Sequence, residues 1–233
     1  APAYAKRFRV VLFDLVGAGG SDLTAYDPVK YGSLAGYAED VAEIVQACGD
    51  GSPAIFVGHS VSAMIGLLAD LRSPGSFSAQ IMIGPSPSYI NDGDYVGGFE
   101  RKDIDALLET LEGNYLGWSS NMAPAIMGAP DQPALAEELT NSFCRTDPEI
   151  AKQFARVTFL SDVRAELPKL ETSTLIVQCN DDFIAPVAVG NYLQKVLPHS
   201  TLAVIDNVGH CPHLSAPSAS SSAIDTFLRH EGF

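Results

Sequence analysis

Apolar residues fall in two rhythms along this chain, and the alternation between them predicts its frame. Short apolar runs rich in β-formers occupy residues 8–13, 54–57, 79–83, 174–179 and 201–205, each ending at an aspartate, glycine or asparagine. Runs of this length read as strands buried on both faces. Helical period fills the spaces between them. Residues 33–48 place Leu34, Tyr37, Val41, Ile44 and Val45 on one side, with Ser33 as N-cap and Gly49 as stop. Further helical patterns cover 63–71, 187–197 and 218–229; Pro186 stands near the start of the second and Pro198 just past its end. Strand and helix alternating at this spacing predict an α/β fold with a mostly parallel sheet and right-handed crossovers.

Between 88 and 168 the strand rhythm stops. Four helical stretches follow instead, 101–112, 115–127, 132–143 and 148–160, two of them started by Asp131-Gln132-Pro133 and Asp147-Pro148. A helical block between strands reads as a lid over the carboxyl edge of the sheet. Residues 1–87 and 169–233 are then the core and 88–168 the inserted lid. Internal repeats and low-complexity linkers are absent from the sequence.

The run at 54–57 leads into Gly58-His59-Ser60-Val61-Ser62. Strand, sharp turn and helix around a central serine make a nucleophile elbow. The turn strains the serine backbone, so the residues two before and two after it must be small. Gly58 and Ser62 meet that need, although the usual pattern ends in glycine. Ser60 Oγ is expected to project above the sheet, with the Val61 N–H at the helix start facing a developing oxyanion.

Composition narrows the partners. The chain has 233 residues, 46% of them hydrophobic, and a net charge of −14 from 28 acidic and 14 basic residues. That balance argues against nucleic acid or an anionic membrane, since both reward a basic face. No apolar run approaches a membrane span, and the N-terminus has no signal-peptide pattern, so a cytoplasmic protein is the simplest expectation. Cys48, Cys144, Cys179 and Cys211 lack metal-ligand spacing and read as reduced thiols. No metal or cofactor is expected. The loop Gly17-Ala18-Gly19-Gly20 follows a predicted strand, but it lacks G-x-G-x-x-G spacing and opens into no helix. A loop bordering a pocket is preferred there to a phosphate cradle.

A serine hydroxyl needs a base, and the base needs a buried acid to fix its tautomer. Ser60, the Asp181/Asp182 pair and His210 occur in that order, each just past a predicted strand, so the sheet brings their loops to one edge. Asp181 and Asp182 alternate sides of an extended loop, so only one can point inward. Asp14 precedes the serine and Asp206 lies too near His210. His213 is a weaker candidate for the base, His59 is expected to line the pocket, and His199 and His230 read as solvated.

Longer blocks carry a resemblance. VVLFDLVGAGGSD (10–22), FVGHSVSAMIG (56–66), GPSPSYINDGDYVGGFE (84–100), NYLGW (114–118), SFCRTDPEIAKQFA (142–155), QCNDDFIAP (178–186) and GHCPHLSAP (209–217) span nearly the whole chain. Through them the chain resembles the RsbQ-type bacterial α/β-hydrolases and their plant relatives, the strigolactone and karrikin receptors. The resemblance implies Ser60 as nucleophile, His210 as base and Asp182 as acid. It also implies a four-helix, V-shaped lid over an apolar pocket walled by Tyr89, Phe99, Trp118, Met122 and Phe143. The expected function is hydrolysis of small apolar esters or lactones in an RsbQ-like stress-signalling role, which implies a signalling protein partner. The competing readings are a receptor-like sensor that hydrolyses slowly or once and recruits a partner, and a binding protein with a vestigial triad. In the family a His-Gly loop before the VVLFD strand gives the second oxyanion N–H. This chain starts beyond it, so N-terminal strands and that donor are expected to be missing from the sequence.

Overall fold

A computed structural model describes residues 2–233. One sheet of four parallel strands forms its centre: β1 (Ala54–His59), β2 (Phe77–Ile83), β3 (Thr174–Asp181) and β4 (Ser200–Val208), side by side in that order. The register runs through pairs such as Val57 with Ile81, Met82 with Ile176 and Val177 with Ala203. Parallel neighbours need a crossover between them, and each crossover here contains a helix. α1 (Leu34–Cys48) precedes β1, α2 (Val61–Arg72) joins β1 to β2, and α7 (Val187–Val196) joins β3 to β4. Between β2 and β3 run α3 (Arg101–Gly113), α4 (Tyr115–Met127), α5 (Pro133–Arg145) and α6 (Pro148–Phe159). The chain closes with a short α8 (Pro212–Ser215) and with α9 (Pro217–Glu231).

Both faces of the sheet are covered, which is why its inner strands are mostly apolar, with Gln80 of β2 and Gln178 of β3 buried among them. On one face Met82 and Ile176 meet Val41 of α1, Met64 and Leu67 of α2 and Leu193 of α7. On the other Ile81, Leu175, Val177 and Ile205 meet Ile224, Phe227 and Leu228 of α9. A further apolar mass lies among α3 to α6, around Ile104, Leu108, Ile126 and Met127.

One sequence expectation is overturned. Residues 8–13 form no strand, and Val10, Val11, Leu12 and Phe13 are exposed, Leu12 at 77%. Apolar content favours burial, but a strand also needs a neighbour for its N–H and C=O groups. Among the described residues no strand pairs with this segment. It is held around its start. Tyr4 and Phe8 pack on the α9 side of the sheet, and Arg7 reaches Asp225 at 3.0 Å. β1 is left as an edge strand with Val57 half exposed. Elsewhere the corrections are small. α2 begins two residues before its apolar pattern, β3 and β4 continue past theirs, and α8 was not foreseen.

Candidate active site

β1 ends in a backbone conformation that ordinary residues avoid. Ser60 has φ 57° and ψ −129°, the one non-glycine at positive φ among the described residues. Such strain persists only where the surroundings impose it. Here the strand pairs with β2 up to His59, the Ser60 N–H donates to the Ile83 carbonyl at 2.8 Å, and α2 starts at once with Val61. The tightness shows at Gly58, where a Cβ would stand 2.6 Å from the Ser62 carbonyl oxygen. Val61 opens the helix, so its N–H has no acceptor four residues back and is available to an anion.

Ser60 Oγ lies 2.7 Å from His210 Nε2, and His210 Nδ1 lies 2.7 Å from Asp182 Oδ2. Asp182 accepts at Oδ2, so Nδ1 carries the imidazole proton and Nε2 is left as acceptor for the serine hydroxyl. The other carboxylate oxygen is occupied too: Oδ1 accepts from the Ile184 and Ala185 N–H groups at 2.9 and 3.2 Å. Asp182 and His210 are both buried. Asp181, by contrast, is exposed and meets this region only through its carbonyl, which accepts the Gly209 N–H at 2.8 Å. Asp206 binds Asn180 instead, and Asp14 closes on its own loop by accepting the Gly20 N–H.

The other histidines fall into two groups. His199 and His230 lie at the surface against Glu171 and Glu231. His59 and His213 sit behind the His210 turn, their ring centres 4.4 Å apart. His59 Nε2–H donates to the His210 carbonyl at 2.7 Å, so the residue expected on the pocket wall braces the turn that carries His210. Burial, and then the neighbouring His210 and His213, push the His59 imidazole well below its ordinary value. Burial, and then His210, push His213 down to about 4. Both rings are neutral near pH 7 and compete for no proton with His210. The Cys211 thiol, next in the chain, is pushed up to about 12 chiefly by burial and is an inert neighbour.

Tyr89 is buried with its hydroxyl 3.4 Å from Ser60 Oγ, and burial pushes the phenol up to about 12, so it stays protonated. Its backbone carbonyl holds the Phe99 N–H, and its ring meets Phe159 edge-on at 5.2 Å. From there apolar side chains run into the helical block. Phe99, Met122 and Phe143 pack in the same cluster as Tyr89, and Trp118 joins through Phe143 at 5.8 Å. The hydroxyl's approach to Ser60 had left no trace in the sequence.

A cleft of about 1270 Å³ lies elsewhere, between α1 and α6, and none of Ser60, Asp182 and His210 lines it. No residue of the glycine-rich loop lines it; the loop only approaches one of its walls, where a Cβ on Gly17 would stand 2.6 Å from Ile150. Among the described residues no group of three or more His, Cys, Asp or Glu side chains could hold a metal ion. No helix among them is long and apolar enough to cross a membrane.

Known proteins resemble this chain in sequence and in fold. Residues 1–221 match the family described as the Alpha/beta hydrolase family. The chain is 40% identical over 230 residues to Probable esterase D14L of Oryza sativa subsp. japonica, covering 98% of this chain and 83% of that one. To Strigolactone esterase D14 of Arabidopsis thaliana it is 38% identical over 218 residues, 93% of this chain and 81% of that one. A solved hydrolase from Oleispira antarctica superposes with a TM-score of 0.92 at 42% identity, covering 97% of this chain and 83% of that one. The chain belongs to the alpha/beta hydrolase family.

Proposed function

We propose that this protein is a serine hydrolase of small, uncharged esters or lactones, with Ser60 as nucleophile, His210 as general base and acid, and Asp182 as the acid that orients it. The observation that carries the proposal is the pair of 2.7 Å contacts linking Ser60, His210 and Asp182 on a strained turn at a helix start. As Oγ attacks the acyl carbon, its proton passes to Nε2, and Asp182 stabilises the imidazolium that forms. The carbonyl oxygen gains charge beside the Val61 N–H and the start of α2. Nε2–H then protonates the leaving alkoxide, and water repeats the sequence on the acyl-enzyme. Tyr89, Phe99, Trp118, Met122 and Phe143 form the pocket walls, with residues 88–168 as its lid. The aromatic lining and the net charge of −14 both favour neutral, apolar substrates.

The plant relatives named Strigolactone esterase D14 and Karrikin insensitive 2 receptor CA support a second role for the same chemistry. In that reading hydrolysis is slow, and the lid's state is passed to a signalling partner, as in an RsbQ-like stress pathway. The two readings differ in turnover number on a chromogenic ester, which is many for an esterase and near one per site for a sensor. A fluorophosphonate tests what they share. It should label the protein at neutral pH, and Ser60→Ala should abolish the labelling. Labelling that persists in that variant would remove Ser60 from the mechanism.

A further inference from the structure

The backbone of His210 is held by a helix outside the sheet. Its N–H donates to the Ile126 carbonyl in the last turn of α4 at 2.8 Å, while Gly209 just before it donates to the Asp181 carbonyl at 2.8 Å. The turn carrying the base is therefore strung between the acid loop and the end of a helix that belongs to the inserted block. Where the two meet, backbone touches backbone. Gly128 ends α4 at φ +64°, and Gly209 has φ +96°. A Cβ on Gly128 would stand 2.7 Å from both Cα and N of Gly209, and one on Gly209 would stand 2.2 Å from the Met127 carbonyl oxygen. Neither neighbour is the yielding tip of a side chain, so even one methyl group must part the two segments. The opposite end of the ring is fixed by Asp182 and Ser60, which set its orientation. The α4 contact sets where the ring begins.

We propose that Gly128 and Gly209 are positioning residues whose back-to-back contact seats the His210 base on α4, so that this helix sets the distance from Nε2 to Ser60 Oγ. The proposal rests on the reading of His210 as the base. The same helix carries Trp118 and Met122 into the apolar cluster next to Tyr89, and Met127 is fully buried at its end. A misplacement of about 1 Å in a catalytic group costs about 10²-fold in rate, so a small parting suffices to be seen.

The test uses the full chain and compares Gly128→Ala with two control glycines. Gly93 has φ +57°, and Gly113 ends α3; a Cβ at either would meet nothing within 4 Å. Gly93→Ala therefore carries the backbone strain without the contact, and Gly113→Ala perturbs the helical block without either. The fluorophosphonate labelling rate and the kcat for an uncharged 4-nitrophenyl ester should fall about 10–100-fold in Gly128→Ala. KM, and the ester's quenching of the single tryptophan, Trp118, should stay near wild type, and both controls should label like wild type. Wild-type rates in Gly128→Ala, or an equal loss in Gly93→Ala, would overturn the seat. A wild-type protein that takes no label would instead sink the hydrolase reading itself. Amide hydrogen exchange of the wild-type chain decides the matter even if Gly128→Ala does not fold. The His210 N–H should exchange together with the last turn of α4, and exchange at the rate of an unprotected loop would overturn the proposal.

Discussion

Residues 8–13 and residues 174–179 are both short, apolar and rich in β-formers, yet they end in opposite environments. Thr174 to Cys179 is buried throughout, with Leu175 and Val177 on one face of the sheet and Ile176 on the other. Val10 to Phe13 are partly exposed, and Leu12 is mostly so. The difference is pairing. β3 has β2 on one side and β4 on the other, so its backbone groups are satisfied before its side chains are counted. The earlier segment has no ladder, and its apolar side chains alone do not make it a strand. Apolar content marks what can be buried; a neighbour decides what is.

The comparison extends to the site, because the well-paired strand ends at the Asp181-Asp182 pair. The strongest way to break it is at the two adjacent carboxylates. Asp182→Asn should lower kcat by about 10⁴, since an amide at that position favours the wrong imidazole tautomer. Asp181→Asn should change kcat less than threefold, because its side chain is exposed and only its carbonyl serves the site. Steady-state kinetics on one ester, for both variants, decides it. Comparable losses would mean that pairing depth does not separate the two residues.

Packing gives the next largest effect. Ile176→Ala, in the fully buried middle of β3, should cost about 2–5 kcal/mol in urea unfolding through lost transfer energy and the cavity left behind. A loss below about 1 kcal/mol would show that β3 is less firmly packed than its burial implies.

Much of this was legible from the chain alone. Ser60 was marked by strand, small residues and helix in series. His210 and the aspartate pair were marked by their order and by the strand before each. Choosing between Asp181 and Asp182 was beyond the spacing, because the choice depends on which side chain turns inward once β3 has run to Asp181. The family resemblance pointed to Asp182, and the structure puts Asp182 on His210. The exposure of residues 8–13 was illegible for the reason above: composition cannot say whether a partner strand stands alongside. His59 behind the His210 turn and α4 against Gly209 were equally hidden. Both are contacts between segments far apart in sequence, and neither leaves a periodic signal.

An intermediate effect should appear with pH. His213 titrates at about 4 in the folded chain, below the ordinary histidine value near 6.5. The unfolded chain therefore binds more protons in that window. Stability from keeping this ring neutral is fully present above about pH 6.5 and is lost as pH falls toward 4. The loss should be on the order of 1–3 kcal/mol, with His59, held low by burial in the same cluster, adding to it. Urea midpoints at pH 7, 5.5 and 4.5 should fall less steeply for His213→Gln than for wild type, since their shared carboxylates cancel in the difference. Parallel falls would remove the histidine pair from the account of acid stability.

The smallest effect belongs to the segment that failed to become a strand. Leu12 is 77% exposed, so folding removes little of its surface from water, and a serine there gives up little transfer energy at about 25 cal/mol per Å² buried. Leu12→Ser should leave the urea midpoint within about 0.5 kcal/mol of wild type, against the far larger loss expected at Ile176. The measurement is best made at two protein concentrations. Val10, Val11, Leu12 and Phe13 form a run of exposed apolar side chains, and such surfaces promote association. If copies of the chain bury that run against each other, the wild-type midpoint will rise with concentration and the variant's will not. A loss above about 1.5 kcal/mol at both concentrations would mean that Leu12 is buried within one chain, and the contrast with β3 would fall.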